Sequence, residues 1–302
     1  MTSLTRAQIV LRYAAVALAA SSWGTWPLIL RRADAIAPMP TALTSTIVMG
    51  VMTIASGAVV LVDRARSRAP SPRPNRRAWA GIAWLGVADA LNFVLFFAAY
   101  RTTSVAIAVI THYLTPIFVA IAAPLVLHER ATRRTAVAVV VSFAGLLLLL
   151  GPWNAERHAR DGLGAAFGAG SAVFYAANVL VNKRLGSAFR PSELVCFHGI
   201  VATPLLAVFV PPDAWAAIDP HALAVIVGGA LGPGALAGLL FVWGLRDLPA
   251  THVSTLTLLE PLVAVIAGAV AFGEHLASLA LAGAALILAG AAAVVSQRRL
   301  AK

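Results

Sequence analysis

Residues 96–130 read FFAAYRTTSVAIAVITHYLTPIFVAIAAPLVLHER, and they open a segment that the chain repeats in its second half. Residues 96–150 align without a gap on residues 241–295. The matched positions include Thr115-Pro116 with Glu260-Pro261, Glu129 with Glu274, and Ala144-Gly145 with Ala289-Gly290. An internal duplication in a hydrophobic chain is typical of secondary transporters, whose binding site lies between two repeats.

The composition places this chain in a lipid bilayer. Of its 302 residues, 60% are hydrophobic and 12% are charged, and the mean hydropathy is +0.85. Ordinary globular chains carry about 25% charged residues. A transmembrane helix needs about 20 apolar residues, and ten such stretches occur. They are residues 9–30, 41–62, 79–100, 104–127, 135–151, 162–182, 192–210, 221–244, 251–272 and 276–296.

These stretches are predicted to be helices rather than strands. A membrane β-barrel would show polar and apolar residues in alternation over about ten residues, and the run from Ala136 to Leu150 shows none. We therefore predict an all-α membrane protein. The single Cys196 excludes a disulfide within the chain, and there is no CxxC motif or Cys/His cluster. We expect an inert thiol, no metal and no cofactor.

The net charge of +11 indicates membrane topology rather than nucleic-acid binding. If ten helices alternate in direction, 18 of the 23 Lys and Arg residues fall on the side that holds the two termini. This positive-inside bias predicts cytoplasmic termini. The basic residues form no single surface interleaved with aromatic residues, so we expect no nucleic-acid partner. The first helix has no small-residue cleavage site and is expected to be retained.

The duplication divides the chain into two halves of opposite orientation. Each half contains five predicted helices, so the second half crosses the membrane in the opposite sense to the first. We predict two inverted repeats, residues 1–151 and residues 152–302. Trp23 of helix 1 then corresponds to Tyr175 of helix 6. Inverted repeats can exchange conformations, which opens a central site to each side of the membrane in turn.

An ionisable residue at membrane depth costs about 2.5 to 3.5 kcal/mol of insertion free energy on the translocon scale. The few that are present are therefore candidate functional residues. They are Asp89, His112, His198 and Glu260. For His198 we favour a hydrogen-bonded packing contact, because no polar stripe accompanies it. Asp89 is either such a contact or part of a cavity, since Asn92 and Phe96 follow it on one helix face.

His112 and Glu260 are the strongest candidates for function, because each lies beside a proline. Pro116 frees the carbonyl oxygen of His112, and Pro261 frees that of Thr257. Free carbonyl groups in a bilayer are tolerated only where neighbouring groups or water satisfy them. We therefore expect helices 4 and 9 to meet a wet centre. Either side chain could carry a proton, and His112 is the closest candidate partner of Glu260 by sequence.

Three further patterns mark helices 1, 6 and 8. A polar stripe at helical spacing in helix 6 is formed by Ser171, Tyr175, Asn178 and Asn182. In helix 1, Trp23 and Trp26 either line a cavity or pack between helices, whereas Trp243 of helix 8 is assigned to the interface belt. The glycine-rich run around Pro233 in helix 8 fits either close packing or a bend during transport.

These patterns together predict a binding site without Lys or Arg. The substrate-binding set is Trp23, Trp26, Asp89, Asn92, Phe96, His112, Tyr175, Asn178, Thr257 and Glu260. The predicted hinges are Pro116, Pro233 and Pro261. Phosphate recognition calls for Lys or Arg. A neutral, zwitterionic or amine-bearing metabolite therefore fits this set better than a phosphorylated one.

The two copies resemble the EamA-type domain of the drug/metabolite transporter superfamily. The first copy is residues 96–130, and the second is LLFVWGLRDLPATHVSTLTLLEPLVAVIAGAVAFGEH, residues 239–275. Each copy contains a helix pair that ends in a proline, followed by a long apolar run and a glutamate. The resemblance also includes Trp23-Gly24 in helix 1 and covers essentially the whole chain. It implies a ten-helix inverted-repeat transporter of the cytoplasmic membrane, often an exporter of amino acids or other small metabolites, with a cavity lined by helices 1, 3, 4, 6, 8 and 9. The acidic residue that four-helix multidrug relatives use in helix 1 is absent from residues 13–30.

The alternatives to transport are an intramembrane enzyme and a non-transporting sensor or assembly factor. An intramembrane enzyme needs clustered catalytic groups, and the chain has no Asp-rich metal motif, His-x-x-x-His or Gly-x-Ser-x-Gly. We therefore expect no enzyme. A non-transporting sensor or assembly factor stays an alternative. A small-molecule substrate and the bilayer are the expected partners, while proton coupling, transport direction and oligomeric state are left open by the sequence.

Labelling of the loops tests the predicted topology. We expect the 63–77 and 183–191 loops to face the cytoplasm with both termini, and the 152–161 loop to face the opposite side, because of the distribution of basic residues. Single cysteines introduced into a Cys196→Ser background, labelled with an impermeant reagent, measure the side directly. Opposite labelling of the 63–77 and 183–191 loops would rule out the inverted ten-helix arrangement.

Overall fold

The computed structural model describes residues 4–66, 74–129, 132–155, 159–273 and 275–297. Within these ranges the chain is helical and contains no strand. Glu274, which the repeat pairs with Glu129, lies outside the described residues, as do parts of the 63–77 and 152–161 loops.

Ten apolar helices follow one another along the chain. Nine of them, among the described residues, are long and apolar enough to span a membrane, and helix 7 is shorter. From helix 1 to helix 10 they comprise Arg6–Asp34, Thr41–Arg66, Arg76–Thr102, Val105–Val126, Arg133–Leu150, Asp161–Leu185, Pro191–Ala207, Pro220–Asp247, Ala250–Phe272 and Ser278–Ser296. The prediction of an all-α membrane fold with ten helices is confirmed.

Local capping determines where several of these helices begin and end. The side chains of Thr5, Ser104 and Thr132 each accept a hydrogen bond from a backbone N–H in the first turn of helix 1, 4 or 5. Such caps satisfy donors that have no partner within the helix. Helices 5 and 9 end at Gly151 and Gly273, which adopt the left-handed conformation that glycine tolerates.

Helices 1, 4 and 9 are each broken near the middle. The interruptions are residues 24–25 in helix 1, 113–114 in helix 4 and 257–258 in helix 9. A proline lies in the first turn of each following segment, and it has no N–H to continue the helical hydrogen-bond ladder. Because the breaks in helices 4 and 9 fall at corresponding positions of the duplication, the two repeats share this irregularity.

Helix 8 contains a π-helical segment, Ala230–Leu236, around Pro233. A π-helical turn shifts the hydrogen-bond pattern by one residue, which accommodates a residue that lacks an N–H. Gly234 and Gly238 face Met52 of helix 2 in this region. The glycine-rich run therefore combines close packing with an irregular backbone, and Pro233 stays a predicted hinge.

The helices pack in pairs that the duplication relates to one another. Helix 5 packs on helix 10, helix 2 on helix 7, and helix 4 on helix 9. Helix 3 packs on helices 6 and 7 in the same way that helix 8 packs on helices 1 and 2. Helix 4 contacts helix 6 as helix 9 contacts helix 1. This pattern is what a pseudo-two-fold relation between two five-helix repeats requires, and it brings helices 1, 3, 4, 6, 8 and 9 to the centre of the bundle.

Glycine residues allow helices 5 and 10 to approach closely. A Cβ atom at Gly145 would lie 2.7 Å from the carbonyl oxygen of Gly283, and one at Gly283 would lie 2.5 Å from that of Gly145. In lipid, apolar side chains gain little by leaving the solvent, so tight van der Waals packing through small residues holds helices together. The contact of helix 5 with helix 10 therefore joins the two repeats at their edge.

The outer surface of the bundle is apolar. Ile54, Leu125 and Val270, on helices 2, 4 and 9, are among its exposed large side chains. A contiguous exposed apolar surface of this kind is unfavourable in water, whereas it is the expected lipid-facing surface of a membrane protein. The polar side chains are consequently gathered inside the bundle and at its ends.

Alanine substitutions test the close contact between helices 5 and 10. We expect Gly145→Ala to destabilise the protein by about 1 to 3 kcal/mol, because the added methyl group would overlap the backbone of helix 10. Gly268→Ala on helix 9 is the matched control, since a Cβ atom there meets nothing within 4 Å. The control should be neutral or slightly stabilising. Thermal unfolding in detergent measures both, and equal melting temperatures would contradict the packing argument.

Candidate functional site

A carboxylate surrounded by tyrosines lies at the break of helix 9. Glu260 occupies the first turn of the second segment, Leu259–Phe272. It is within electrostatic reach of Tyr100, Tyr113 and Tyr175. The three tyrosines come from helix 3, the break of helix 4, and helix 6. The Glu260 side chain is half-buried.

His112 completes the aromatic surroundings of this carboxylate. Its ring stacks on Tyr175, with centroids 5.4 Å apart and planes at 13°, and its centroid is 4.1 Å from that of Phe96. Phe96 in turn contacts Tyr100 edge to face at 4.8 Å. We call Phe96, Tyr100, His112, Tyr113 and Tyr175 the aromatic box of Glu260. Together with Glu260, the box contains four predicted site residues, Phe96, His112, Tyr175 and Glu260. Tyr100 and Tyr113 were not singled out by the sequence analysis.

Hydrogen bonds orient the His112 ring within the box. Nδ1 lies 2.7 Å from the Ser171 hydroxyl oxygen, and that hydroxyl donates to the carbonyl oxygen of Gly168 at 2.9 Å. His112 Nδ1 and the Ser171 hydroxyl therefore share one hydrogen bond, whose donor depends on the tautomer of the ring. His112 is therefore held by helix 6, and its Nε2 is the remaining polar position of the ring.

The expected pairing of His112 with Glu260 is corrected by these contacts. Within helix 4, Tyr113 rather than His112 interacts with Glu260, and His112 bonds Ser171 of helix 6 instead. Tyr113 is the first residue of the break in helix 4, at residues 113–114. A sequence without the break's geometry gives no signal that Tyr113 rather than His112 faces the carboxylate.

The two carbonyl groups freed by the prolines are satisfied inside the protein. The His112 carbonyl accepts a hydrogen bond from the Thr115 hydroxyl at 2.8 Å, and the Thr257 carbonyl accepts one from the backbone N–H of Glu260 at 3.0 Å. A threonine hydroxyl makes the first bond and a tightened turn makes the second. These two carbonyl groups therefore do not by themselves require water, and the wet centre stays a prediction. Thr257 itself is buried, and its hydroxyl donates to the Ser254 carbonyl at 2.7 Å.

Gly24 brings the break of helix 1 against the break of helix 9. A Cβ atom at Gly24 would lie 2.5 Å from the carbonyl oxygen of Glu260 and 2.7 Å from Cβ of Val263. Only a glycine permits this approach of one broken helix to the other. The neighbouring Trp23 packs on Phe241 of helix 8, with ring centroids 5.1 Å apart. Helices 1, 8 and 9 thus meet beside Glu260.

The remaining predicted tryptophans have separate surroundings. Trp26 lies near Gly229 of helix 8, where a Cβ atom would come within 3.1 Å of the Trp26 ring. Trp243 lies near the end of helix 8, and the Arg12 guanidinium stacks 3.4 Å above the centroid of its ring. The structure therefore places Trp23 and Trp26 against helix 8 and Trp243 at the end of the bundle that carries the termini.

A second polar cluster joins helices 3, 6 and 7. Asp89 lies in the middle of helix 3, and one of its oxygens, Oδ2, is 2.9 Å from Nε2 of His198 on helix 7. Its other oxygen, Oδ1, accepts a hydrogen bond from Nδ2 of Asn178 at 2.7 Å. Asn178 Oδ1 in turn accepts one from Nδ2 of Asn182 at 2.6 Å. Exposed fractions of 15% for the Asp89 side chain and 8% for that of His198 show how far both are removed from solvent.

His198 makes a hydrogen-bonded contact between helices, and its partner is the acidic Asp89. No polar stripe occurs on helix 7 because this partner lies on helix 3. The sequence could have suggested this pair, because an acidic side chain and an imidazole at membrane depth each need a partner where no water is present. Only the packing of helix 3 on helix 7 shows that they satisfy each other.

Asn92 differs from the other polar residues of helix 3. Its side-chain oxygen is buried, and it has no hydrogen-bond partner among the described residues. A buried amide oxygen without a partner costs about 1 to 3 kcal/mol. Asn92 is therefore poorly explained as a packing residue and remains a predicted substrate contact.

Ion pairs tie the repeats together at the end of the bundle that holds the N-terminus. Arg12 pairs with Asp247 at 2.8 Å, joining helix 1 to helix 8. Lys183 of helix 6 lies 3.5 Å from Glu129, whose other oxygen accepts a hydrogen bond from the backbone N–H of Ala250 at the start of helix 9. Each contact crosses from one repeat to the other, so charges join the two repeats at this end of the bundle.

The opposite end is joined by a different contact. The Thr103 hydroxyl, beyond helix 3, donates to a carboxylate oxygen of Asp161, the first residue of helix 6, at 2.5 Å. Gly164 packs against the same threonine. At both ends of the bundle, therefore, contacts join one repeat to the other.

Among the described residues there is no group of three His, Cys, Asp or Glu side chains that could hold a metal ion.

Comparison with known proteins identifies the family. Residues 11–151 and residues 162–296 match the EamA-like transporter family. The chain belongs to this family. EamA-like proteins form part of the drug/metabolite transporter superfamily, so the protein is a multi-pass membrane transporter built from two helical repeats.

Relatives of this transporter agree with the assignment. An uncharacterised transporter of Archaeoglobus fulgidus is 29% identical over 224 residues, which are 72% of this chain and 76% of that protein. The uncharacterised transporter YwfM of Bacillus subtilis is 30% identical over 218 residues, which are 70% of this chain and 72% of that protein. A crystal structure of another protein matches with a TM-score of 0.75 over 97% of this chain and 99% of its own, at 20% identity, and shows the fold alone.

Two asparagine variants separate a structural from a binding role. We expect Asn178→Leu to destabilise the transporter by about 1 to 3 kcal/mol, because it leaves Asp89 Oδ1 and Asn182 without their partner. Asn92→Leu should be nearly neutral, because no bond to the Asn92 side-chain oxygen is lost. Thermal unfolding in detergent compares the two. A larger loss for Asn92→Leu than for Asn178→Leu would contradict the hydrogen-bond assignment.

Proposed function

We propose that this protein is a secondary transporter of small amine-bearing or zwitterionic metabolites, which it moves by alternating access through a site at Glu260. The observation that carries the proposal is a half-buried carboxylate inside an aromatic box. We further propose the cytoplasmic membrane as its location, with both termini in the cytoplasm, and a division into repeats at residues 151 and 152.

The chemistry of the box favours a cationic group of the substrate. A carboxylate removed from water is stable only when an opposite charge or several donors compensate it. Helix 4 from Val105 to Val126 and helix 9 from Ala250 to Phe272 contain no Lys or Arg. A substrate ammonium group supplies the missing charge. The faces of Tyr175 and Phe96 add attraction for a cation held near their rings.

A phosphorylated substrate fits this site poorly. Its negative charge would meet Glu260 and, beyond Tyr175, Asp89, with no guanidinium or ammonium group on helix 4 or helix 9 to offset it. An amino-acid-like zwitterion needs a second point of attachment for its carboxylate. The Tyr100 and Tyr113 hydroxyls and the Asn92 side chain can provide such hydrogen bonds.

The arrangement of the repeats supports alternating access. The site lies where the broken helices 1, 4 and 9 meet, and the contacts that close the two ends both run between the repeats. A rocking motion of one repeat against the other would break Arg12–Asp247 at one end or Thr103–Asp161 at the other while the site stays between them. The breaks before Pro116 and Pro261 are the places where the backbone can bend.

Transport by purified protein in liposomes tests the substrate class. The panel contains an aliphatic amine, zwitterionic amino acids, a neutral sugar and a phosphate ester, each labelled. We expect uptake of amines or zwitterions, and Glu260→Gln should lower their apparent affinity about tenfold to a hundredfold, which corresponds to the loss of a charge-assisted contact of about 1.5 to 3 kcal/mol. Asp219→Asn, at the half-buried N-cap of helix 8, is the matched control and should transport normally, because Asn is also a good N-cap residue.

The aromatic box has its own pair of variants. Tyr175→Phe retains the ring face and should keep most of the affinity for an ammonium group, whereas Tyr175→Ala removes it. Transport of the phosphate ester in preference to the amines would overturn the substrate assignment. A complete lack of transport across the panel, with specific binding of a ligand to the folded protein, would favour the sensor alternative.

A further inference from the structure

We propose that Asp89 and His198 form the binding site for one proton that the transporter carries or exchanges in each cycle. The inference rests on the proposed transport function for its role, but the proton site itself is a property of the side chains. Asp89 lies at the middle of helix 3, and its contact with His198 on helix 7 crosses from the first repeat to the second.

The hydrogen bonds of His198 show that one proton lies between the two side chains. Nδ1 of His198 is 2.7 Å from the carbonyl oxygen of Leu194. A carbonyl oxygen carries no hydrogen, so Nδ1–H is the donor. Nε2 faces Asp89 Oδ2 at 2.9 Å, a distance at which two bare acceptors repel. The contact therefore contains one proton, either on Nε2 of an imidazolium or on Oδ2 of a carboxylic acid.

Both forms of this contact have no net charge. An imidazolium with a carboxylate and an imidazole with a carboxylic acid are each neutral, and a neutral pair suits the middle of a bilayer. Removal of the proton leaves a carboxylate against the lone pair of a neutral imidazole. That arrangement is repulsive, so loss of the proton weakens the contact of helix 3 with helix 7. Proton binding is thereby linked to a contact between the two repeats.

Other titratable groups around the pair are few. Helix 2, which packs on helix 7, has none from Thr41 to Val62, and helix 8 has His221 alone from Pro220 to Gly244, exposed at its start. On helix 7, Cys196 faces Gly57 of helix 2. Because no Lys or Arg occupies these segments, the proton itself is the charge that neutralises Asp89.

The remaining neighbours come from helices 4 and 6. His112 of helix 4 is turned to Ser171 and the aromatic box. Tyr175 of helix 6 lies within electrostatic reach of both Asp89 and Glu260. Both sites therefore act on Tyr175, and we expect an ammonium group at Glu260 to influence the proton at Asp89 and His198. Asn178, one turn further along helix 6, holds the other oxygen of Asp89 in place.

Nuclear magnetic resonance of the full chain in lipid nanodiscs tests the proton site without any substrate. The protein is labelled with ¹⁵N-histidine, and the His198 signals, among seven histidines, are assigned as those lost in His198→Gln. In the wild type we expect Nδ1 to stay protonated while the Nε2 signal changes in a single step as the pH is raised. Asp89→Asn should abolish the step, because the amide can donate to Nε2 and accept from Asn178 but holds no exchangeable charge.

Controls make the outcome decisive. Glu260→Gln should retain the step in the His198 signal, with its midpoint displaced by the lost charge. Absence of a step in the wild type, an unchanged step in Asp89→Asn, or its loss in Glu260→Gln would each overturn the proposal. Since Asp89→Asn preserves both hydrogen bonds of the pair, its folding is less at risk than that of Asp89→Ala.

A transport measurement then links the site to coupling. With any compound that the liposome panel identifies, a pH gradient should drive accumulation by the wild type. Asp89→Asn should lose that accumulation, and its exchange of labelled compound should no longer depend on pH. Accumulation by Asp89→Asn equal to that of the wild type would overturn the coupling role. If no compound in the panel is transported, the proposed function fails, whereas the histidine spectra still decide whether the proton site exists.

Discussion

The absence of hydrogen-bonding solvent in the bilayer is the constraint on which this structure depends. Every polar group at membrane depth must find a partner inside the protein. At the breaks of helices 4 and 9 the freed carbonyl groups are taken up by Thr115 and by the N–H of Glu260. Asp89 is satisfied by His198 and Asn178. Glu260 has no ion pair among the described residues, which is why we propose it, rather than Asp89, as the position that binds a charged ligand.

The same constraint explains the helix packing. Because apolar side chains gain little free energy by moving from lipid into the protein, close van der Waals contact through small residues has to hold the bundle together. Gly145 and Gly283 provide this at the edge, between helices 5 and 10, and Gly24 provides it at the centre, against Glu260. The edge contact is close and includes Ser142 against Gly290, whereas the central contacts include broken helices and charges.

Helix 6 contacts both polar sites. Ser171 hydrogen-bonds His112, Tyr175 belongs to the aromatic box, and Asn178 donates a hydrogen bond to Asp89. These residues share one helical face, so a movement of helix 6 relative to helices 3 and 4 would alter both sites together. In the mechanism that we propose, the aromatic box binds the substrate and the Asp89–His198 contact binds the proton, while Arg12–Asp247 and Lys183–Glu129 join the repeats at one end of the bundle.

The ten helices and the two repeats could be predicted from the sequence, because apolar length and duplication can be read along the chain. Rare polar residues also indicated candidate site residues, whose binding role stays a prediction. Which side chains contact one another could not be predicted. The sequence favoured His112 as the partner of Glu260 and assigned no acid to His198, and it inferred water from carbonyl groups that Thr115 and a tightened turn satisfy. Tertiary structure decided these points, because a break rotates every side chain after it and because a partner on another helix has no fixed separation in sequence.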